Sequence, residues 1–452
     1  MLSLQDLSRR EWLRVGGLSA AGLTVPALRA APARTGGPAK ACILLFLGGG
    51  PPQHETWDPK PDAPAEIRGD LKPIPSSLPG LLVGELMPLT ARLAHKVCVL
   101  RAVSTNDNAH SSSGYWVLTG RPHTPLNNES SKPGAPNDGP SLGAIVRALR
   151  KDFGRIPSSV ILPEHMRNNP NVPWPGQFGG WLGRAADPWL LTCDPSTPKF
   201  GVPELGLPGD VPPLRMDGRR SLLDAANKHL DGLDRTAAVG RHTVYQQQAL
   251  DLLRAPAARR AFDLGDESAA IRDRYGRHKF GQSVLLARRL VEAGVVLVQV
   301  NWPRELGDEN SSNPLWDTHQ KNTERLKTAL MPPWDRAYSA LIEDLDQRGL
   351  LDSTLIVTVG EFGRSPKINA GGGRDHWGHV FSAALCGGGI RGGNVVGASD
   401  KSGGHPKEGK VEPQDIHATV LHLLGHPEGT ELRDVEGRVT PATRGTVIRG
   451  AL

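Results

Sequence analysis

Five continuous apolar runs constrain this chain more than anything else in it. They are the openings of "KACILLFLGGGPPQ" and "HKVCVLRAVST", then "SSVILPE", "GVVLVQVNW" and "DSTLIVTVGEF". A strand with one wet face alternates apolar and polar residues; these do not, so they read as strands buried on both faces of a parallel sheet. Between and after them lie segments with apolar residues three and four apart: "PSLGAIVRALR", "GRRSLLDAANKHLDGL", "QSVLLARRLVEAG", "PPWDRAYSALIEDLDQRG" and "QDIHATVLHLLG". That spacing is helical. Strand alternating with helix predicts an α/β fold with a doubly wound, mostly parallel central sheet flanked by helices. Such sheets gather ligands at the carboxyl ends of their strands. Glu361, Asn301 and the loop 48–58 all follow predicted strands there.

Outside the runs the chain is rich in loop formers, with 53 Gly and 39 Pro in 452 residues. Residues 121–215 hold "NNPNVPWPGQFGGWLG" and read as a long, loop-rich insertion of the kind that carries function. The first 33 residues pair Arg9 and Arg10 ahead of a mildly apolar stretch and end in Ala31-Pro32-Ala33. This is the layout of a twin-arginine-type signal peptide, with an amphipathic helix as the plainer alternative. The expected organisation is therefore a signal at 1–33, one domain over 38–452, and export to the periplasm or cell envelope. No stretch of about 18 apolar residues suggests a spanning helix. The net charge is +6, of which the leading segment carries +2, leaving +4. With no basic run interleaved with aromatics, this argues against nucleic-acid binding. The four cysteines, Cys42, Cys98, Cys193 and Cys386, include no CxxC pair that would build a thiolate zinc knuckle.

Four constellations carry candidate chemistry. In "NPLWDTHQKN", Asp317 and His319 lie two residues apart, so an extended loop projects them to one side. They are a carboxylate–imidazole pair for a divalent metal, or else a surface pair. In "VGEFGRSPKINAGGGRDHWGH", Glu361 closes a buried strand, where a bare carboxylate needs a metal or an arginine such as Arg364. Asp375, His376 and His379 follow it, the two histidines one turn apart if that segment is helical. In "GGGPPQHETWDPKP", Gln53, His54, Glu55 and Asp58 crowd a turn directly after the first strand. Turn chemistry alone, with Asp58 before Pro59, would also explain them. In "NDNAHSSSGYWVLTG", His110 and Ser111 to Ser113 precede a helix, where hydroxyls serve most often as caps.

Together "GGGPPQHETWDPKP", "SLGAIVRAL", "FGQSVLLARRLVEAGVVLVQV", "WDTHQKN", "RGLLDSTLIVTVGEFGRSP" and "GRDHWGHVFSAALCGGGIRGG" look like the exported bacterial domain-of-unknown-function family 1501. That family resembles the sulfatase and alkaline phosphatase superfamily. The resemblance implies that Glu361 falls where the superfamily has a metal-binding Asp, and Phe362 where it has a ligand His. Asp317 and His319 fall in the region supplying another Asp and His. His376 falls near the late ligand His, with His379 competing for the role. His110 occupies the position of the nucleophilic Ser, Thr or Cys. Gly49 replaces the Asp expected after the first strand, so Gln53, His54, Glu55 or Asp58 would have to substitute for it.

The resemblance implies a metal-dependent hydrolase acting on a phosphate or sulfate ester, a small anion or a glycan. The expected ligands come from Asp317, His319, Glu361, Asp375, His376, His379 and Glu55, with Asp375 either ligating or orienting His376. Imidazole with carboxylate favours Zn, Mn or Fe, with Ca or Mg as alternatives. His110 would then be nucleophile, base or ligand, and Arg364 would meet an anionic substrate oxygen. A formylglycine sulfatase is not expected, because His110 is neither Cys nor Ser. The rival reading is a non-catalytic metal- or anionic-glycan-binding protein on the same fold.

Overall fold

The structure, a computed structural model, describes residues 37–150, 157–169, 172–198, 200, 260–304 and 315–452. The predicted signal at 1–33 and the helical pattern of 216–259 lie outside the described residues. All five apolar runs form strands of one eight-stranded sheet. In chain order its strands are β1 (Ala41–Phe46), β2 (Val97–Val103), β3 (Ser159–Leu162), β4 (Trp189–Leu190), β5 (Leu297–Asn301), β6 (Thr354–Val359), β7 (Phe381–Cys386) and β8 (Asn394–Val396). Across the sheet the order is β8-β2-β7-β6-β1-β5-β3-β4. Only β7 runs against the rest. Every residue of β1, β5 and β6 is buried, which is why their sequences do not alternate.

Five helices matter for the site: α1 (His110–Thr119), α2 (Leu142–Arg150), α3 (Lys279–Glu292), α4 (Met331–Gln347) and α5 (Pro413–Leu423). The apolar stripe of α3 lies on β5 and β1, and α4 packs against α3. Helix α2 leans on β3 and β5, and α1 packs against α5. Pro413 opens α5 inside a reciprocal cap made by Glu412 and Asp415. Among the described residues no helix is long and apolar enough to cross a membrane.

Register sets up the site. Phe46 of β1 stands beside Asn301 of β5 and Val359 of β6, so the three central strands end level. Glu361 emerges two residues past Val359, next to the Gly48–Gly50 turn that leaves β1. Gly49 has φ +107°, and a Cβ there would sit 2.4 Å from the Trp316 nitrogen and 2.5 Å from that of Asp317. Its missing side chain lets the 315–317 loop close onto the end of β1, which delivers Asp317 to the sheet edge.

Two local expectations need correction. The serines do not cap α1: the helix begins at His110, its N-cap is Ala109, and Ser111 to Ser113 lie inside the first turn. Their hydroxyls donate to Asn128 O, Asp107 Oδ1 and Glu361 O, fastening α1 to its surroundings. The 376–379 segment is not helical either. His376–Trp377 forms a two-residue strand paired antiparallel with Gly363–Arg364, so His376 and His379 do not share a helix face.

Candidate metal centre

Asp317 is the hub. His376 Nε2 lies 3.0 Å from its Oδ1, His319 Nε2 3.1 Å from the same oxygen, and His110 Nε2 3.3 Å from Oδ2. The Nε2 atoms of His319 and His376 are 2.8 Å apart. Each ring is held from behind by an acceptor on Nδ1: Glu361 Oε1 at 2.6 Å for His110, Asp375 Oδ1 at 3.0 Å for His319, and the carbonyl of Asn108 at 2.7 Å for His376. Three imidazoles thus donate outward through Nδ1 and turn Nε2 inward on one carboxylate. Metal-ligating histidines are oriented in this way. His110, Asp317 and His376 also form a mutual triad, with ligand atoms all within 4.8 Å of one another.

The donor set fits a cation. The Asn108 carbonyl can only accept, so His376 carries its hydrogen on Nδ1 and, when neutral, presents a bare lone pair at Nε2. That lone pair faces the carboxylate of Asp317, a second acceptor. Two acceptors 3.0 Å apart call for positive charge beside them; Arg364 supplies one from the wall side of Asp317 Oδ1, and an ion at Nε2 would supply the other. Ligands about 2.0–2.2 Å from one tetrahedral ion lie roughly 3.3–3.6 Å from each other; the 2.8–3.3 Å edges seen here would open by a few tenths of an ångström around one. Glu361 adds a further sign. Its Oε1 accepts from Gly49 N at 2.8 Å as well as from His110, while Oε2 is buried with no hydrogen-bond partner among the described residues. An orphaned buried carboxylate oxygen is costly unless something answers it.

Residues 39–452 match the family model described as "Protein of unknown function (DUF1501)". The chain belongs to that family. Comparison with curated proteins gives no match. Solved structures similar to this DUF1501 chain include Ps i-CgsB in complex with k-i-k-neocarrahexaose, at 14% identity, covering 85% of this chain and 72% of that one, with a TM-score of 0.40. A sulfatase from Pseudoalteromonas sp. is 15% identical over 93% of this chain and 72% of its own, with a TM-score of 0.36. A phosphonate monoester hydrolase from Silicibacter pomeroyi is 12% identical over 90% and 75%, with a TM-score of 0.38. Likenesses this distant carry no function across to the DUF1501 chain.

Electrostatics separates the three imidazoles of the DUF1501 centre. Burial works against a charged His110, but the hydrogen bonds to Asp317 and Glu361 overcome it and raise its pKa to about 10. His376 goes the other way, to about 4: burial dominates over its hydrogen bond to Asp317, and the cations of His110 and Arg364 act in the same direction as burial. His319 is raised by its hydrogen bond to Asp317, and that ring in turn lowers Asp375. Burial alone would raise Asp317, yet the Arg364 guanidinium and three imidazole contacts hold it far below the usual carboxylate range.

Several expected residues take other places. Arg364 lies inside the wall of the centre. It is fully buried, and it donates to Gly50 O and Arg374 O at 3.0 Å each, to Gly49 O, and to Asp317 Oδ1 at 2.5 Å. It braces Asp317, and it does not form the ion pair with Glu361 weighed as the alternative. Asp375 orients His319, not His376. Glu55 is buried against Arg374, 2.7 Å from Nη2, and is not brought to the centre. His379 is not brought there either: its Nδ1 meets Asn106 Oδ1 at 3.0 Å and its ring packs on Trp377 and His405. His54 contacts Ser402 O, Gln53 bridges to Arg364, and Asp58 is paired with Lys60. Phe362, at the place of an expected ligand histidine, packs its ring 4.9 Å from His110 and 4.5 Å from His376, centroid to centroid.

Sequence reading missed Asn108, whose carbonyl fixes the tautomer of His376, and Glu129, whose Oε2 accepts the backbone N–H of His110 at 2.7 Å. A backbone carbonyl leaves no mark on side-chain identity. Glu129 sits in an insertion without periodicity. The run "NDNAH" was the only available signal for Asn108.

Proposed function

We propose that this protein binds one divalent transition metal through the Nε2 atoms of His110, His319 and His376 and the carboxylate of Asp317, and hydrolyses a phosphate or sulfate ester. One observation carries the reading: three imidazoles, each anchored through Nδ1 by an acceptor, aim their remaining nitrogen at a single carboxylate. A nitrogen-rich donor set favours Zn, Mn or Fe over Ca or Mg. Such an ion, when bound, supplies Lewis acidity to an ester oxygen and acidifies water.

The chain's own residues do the rest. Glu361 holds the His110 ring and can keep the proton on Nδ1. Asp375 does the same for His319, and Arg364 fixes Asp317 so that its oxygens cannot swing away. Phe362 walls the centre beneath two of the imidazoles and keeps that side dry. Glu361 Oε2, buried with no hydrogen-bond partner among the described residues, supports a further contact to the ion or to water. His110 at the helix start is read as a ligand, not a nucleophile, because both its nitrogens are engaged with carboxylates. The substrate class is an anionic small molecule or a glycan ester. The N-terminal pair Arg9-Arg10 supports export of the domain beginning near residue 38 to the periplasm or cell envelope.

The test is a metal-loaded preparation screened against aryl phosphates, phosphodiesters and aryl sulfates, with His376→Ala as control. Turnover that requires the ion and disappears in the variant supports the reading. Stoichiometric metal with no turnover, and tight binding of an anionic polysaccharide, would replace it with the non-catalytic alternative.

A further inference from the structure

The described part of the insertion after α1 closes a ring of contacts on one residue, His110. Glu129 Oε2 accepts the His110 backbone N–H at 2.7 Å. The other oxygen of Glu129 accepts from Asn168 Nδ2 at 2.6 Å. Asn168 Oδ1 accepts from the indole N–H of Trp174 at 2.7 Å. The Trp174 ring then stacks on the His110 imidazole, centroids 5.9 Å apart and planes 21° from parallel. The circuit leaves His110 by its backbone and returns to it on its ring.

Trp174 is the firmly mounted member of this circuit, 1% exposed. Its backbone N–H donates to Met166 O, and the Gln177 side chain spans Met166 N, Met166 O and Trp174 O. Gly114, one helical turn after His110, leaves the space the indole occupies: a Cβ there would lie 2.7 Å from the ring. Phe46, at the end of β1, meets Trp174 in a T-shaped contact, centroids 6.1 Å apart and planes 82° from parallel. The insertion is thereby keyed both to the sheet and to the first residue of α1.

We propose that Glu129, Asn168 and Trp174 are positioning residues for the metal centre, fixing where His110 Nε2 points and so setting the affinity and geometry of the ion. This inference rests on the metal-binding reading above. His110 is the imidazole that needs such a device. His319 and His376 are brought in beside the paired Gly363–Arg364 and His376–Trp377 strands, whereas His110 opens a helix whose N-cap, Ala109, makes no side-chain hydrogen bond. Glu129 supplies the acceptor for the His110 backbone N–H that the N-cap side chain does not.

Cobalt(II) is the probe, because its visible spectrum reports ligand geometry directly. The full chain, stripped of metal, is titrated with Co²⁺ alongside Asn168→Ala and Trp174→Phe. The first cuts the ring at an exposed residue. The second keeps an aromatic stack but loses the indole donor. Losing a residue that orients a metal-ligating histidine costs about 10–100-fold in affinity. The expected result is Co²⁺ binding at least about tenfold weaker in each variant, with an altered visible spectrum. The double variant should be no worse than the weaker single one, since both break one circuit. The urea midpoint of metal-free Asn168→Ala, cut at an exposed side chain, is expected to match the parent, which separates positioning from general destabilisation; Trp174→Phe shrinks a buried ring and is read by its spectrum. If the parent binds Co²⁺ and both variants bind it equally well with an unchanged spectrum, the positioning role is refuted while the metal reading stands. If the parent binds no Co²⁺, the metal reading falls and takes this inference with it.

Discussion

Replacing Arg364 by methionine separates two accounts of this residue. A guanidinium that meets substrate would be lost at the expense of KM and little else. The structure places it inside the wall, 0% exposed, donating to Gly49 O, Gly50 O, Arg374 O and Asp317 Oδ1. Methionine fills much of the volume and offers none of the donors. Breaking a buried charge pair by removing one partner costs about 3–5 kcal/mol, because the other charge is left uncompensated. Buried acceptors left bare cost about 1–3 kcal/mol each. Asp317 keeps its imidazole contacts and is partly open to solvent, 15% by side chain, so these costs do not simply add. We expect a loss of about 4 kcal/mol in the metal-free chain, near the middle of the range for a broken pair. Urea unfolding followed by tryptophan fluorescence is the assay; Trp316, next to Asp317, is one of ten reporters. Arg364→Lys should recover only part of the loss, since an ammonium cannot span four separated acceptors. A methionine variant within about 1 kcal/mol of the parent, well short of a broken buried pair, would refute the bracing role.

Three further outcomes follow from the same geometry. Glu361→Gln removes the carboxylate behind His110, and metal affinity measured by competition with a chelator should fall about 10–100-fold; an unchanged affinity would mean that Glu361 does not orient the ring. His379→Ala should leave metal content at the parental level, because His379 is engaged with Asn106, Trp377 and His405; loss of the ion would place it in the centre after all. His417, buried with Nε2 donating to Val117 O, has its pKa pushed down to about 4, chiefly by burial. Its neutral form is the stable one in the fold, so its contribution is complete above the unfolded pKa of about 6.5 and is lost as pH falls toward the folded value, at most about 3 kcal/mol. Urea midpoints between pH 7.5 and 4.5 should fall less steeply in His417→Gln than in the parent; identical slopes would contradict this.

The sheet was legible because burial on both faces strips a strand of its polar residues, and "ACILLF" and "TLIVTV" show this without help from tertiary context. The gathering of Asp317, His319 and His376 was legible for a related reason: functional residues follow strand ends, and level strand ends bring distant segments together. Roles within the cluster were not. Whether Asp375 serves His319 or His376 depends on the hairpin formed by Gly363–Arg364 and His376–Trp377, which two residues of sequence cannot announce. Arg364 looks outward on paper because arginine near a site is commonly a substrate clamp; only the crossing of the Gly49–Gly50 turn shows that backbone carbonyls have already claimed it. The serines of α1 mislead because a hydroxyl at a helix start and one in its first turn look alike when the helix boundary is uncertain by one or two residues.

Metal stoichiometry of the purified full chain, measured by elemental analysis after equilibration with Zn²⁺, Mn²⁺ or Fe²⁺ beside Asp317→Asn, tests the central claim most directly. Asp317 is the carboxylate on which all three imidazoles close. The account predicts close to one tightly held ion per parental chain and none in the variant. A parental chain that retains no ion, or an Asp317→Asn chain that holds it equally well, would contradict it.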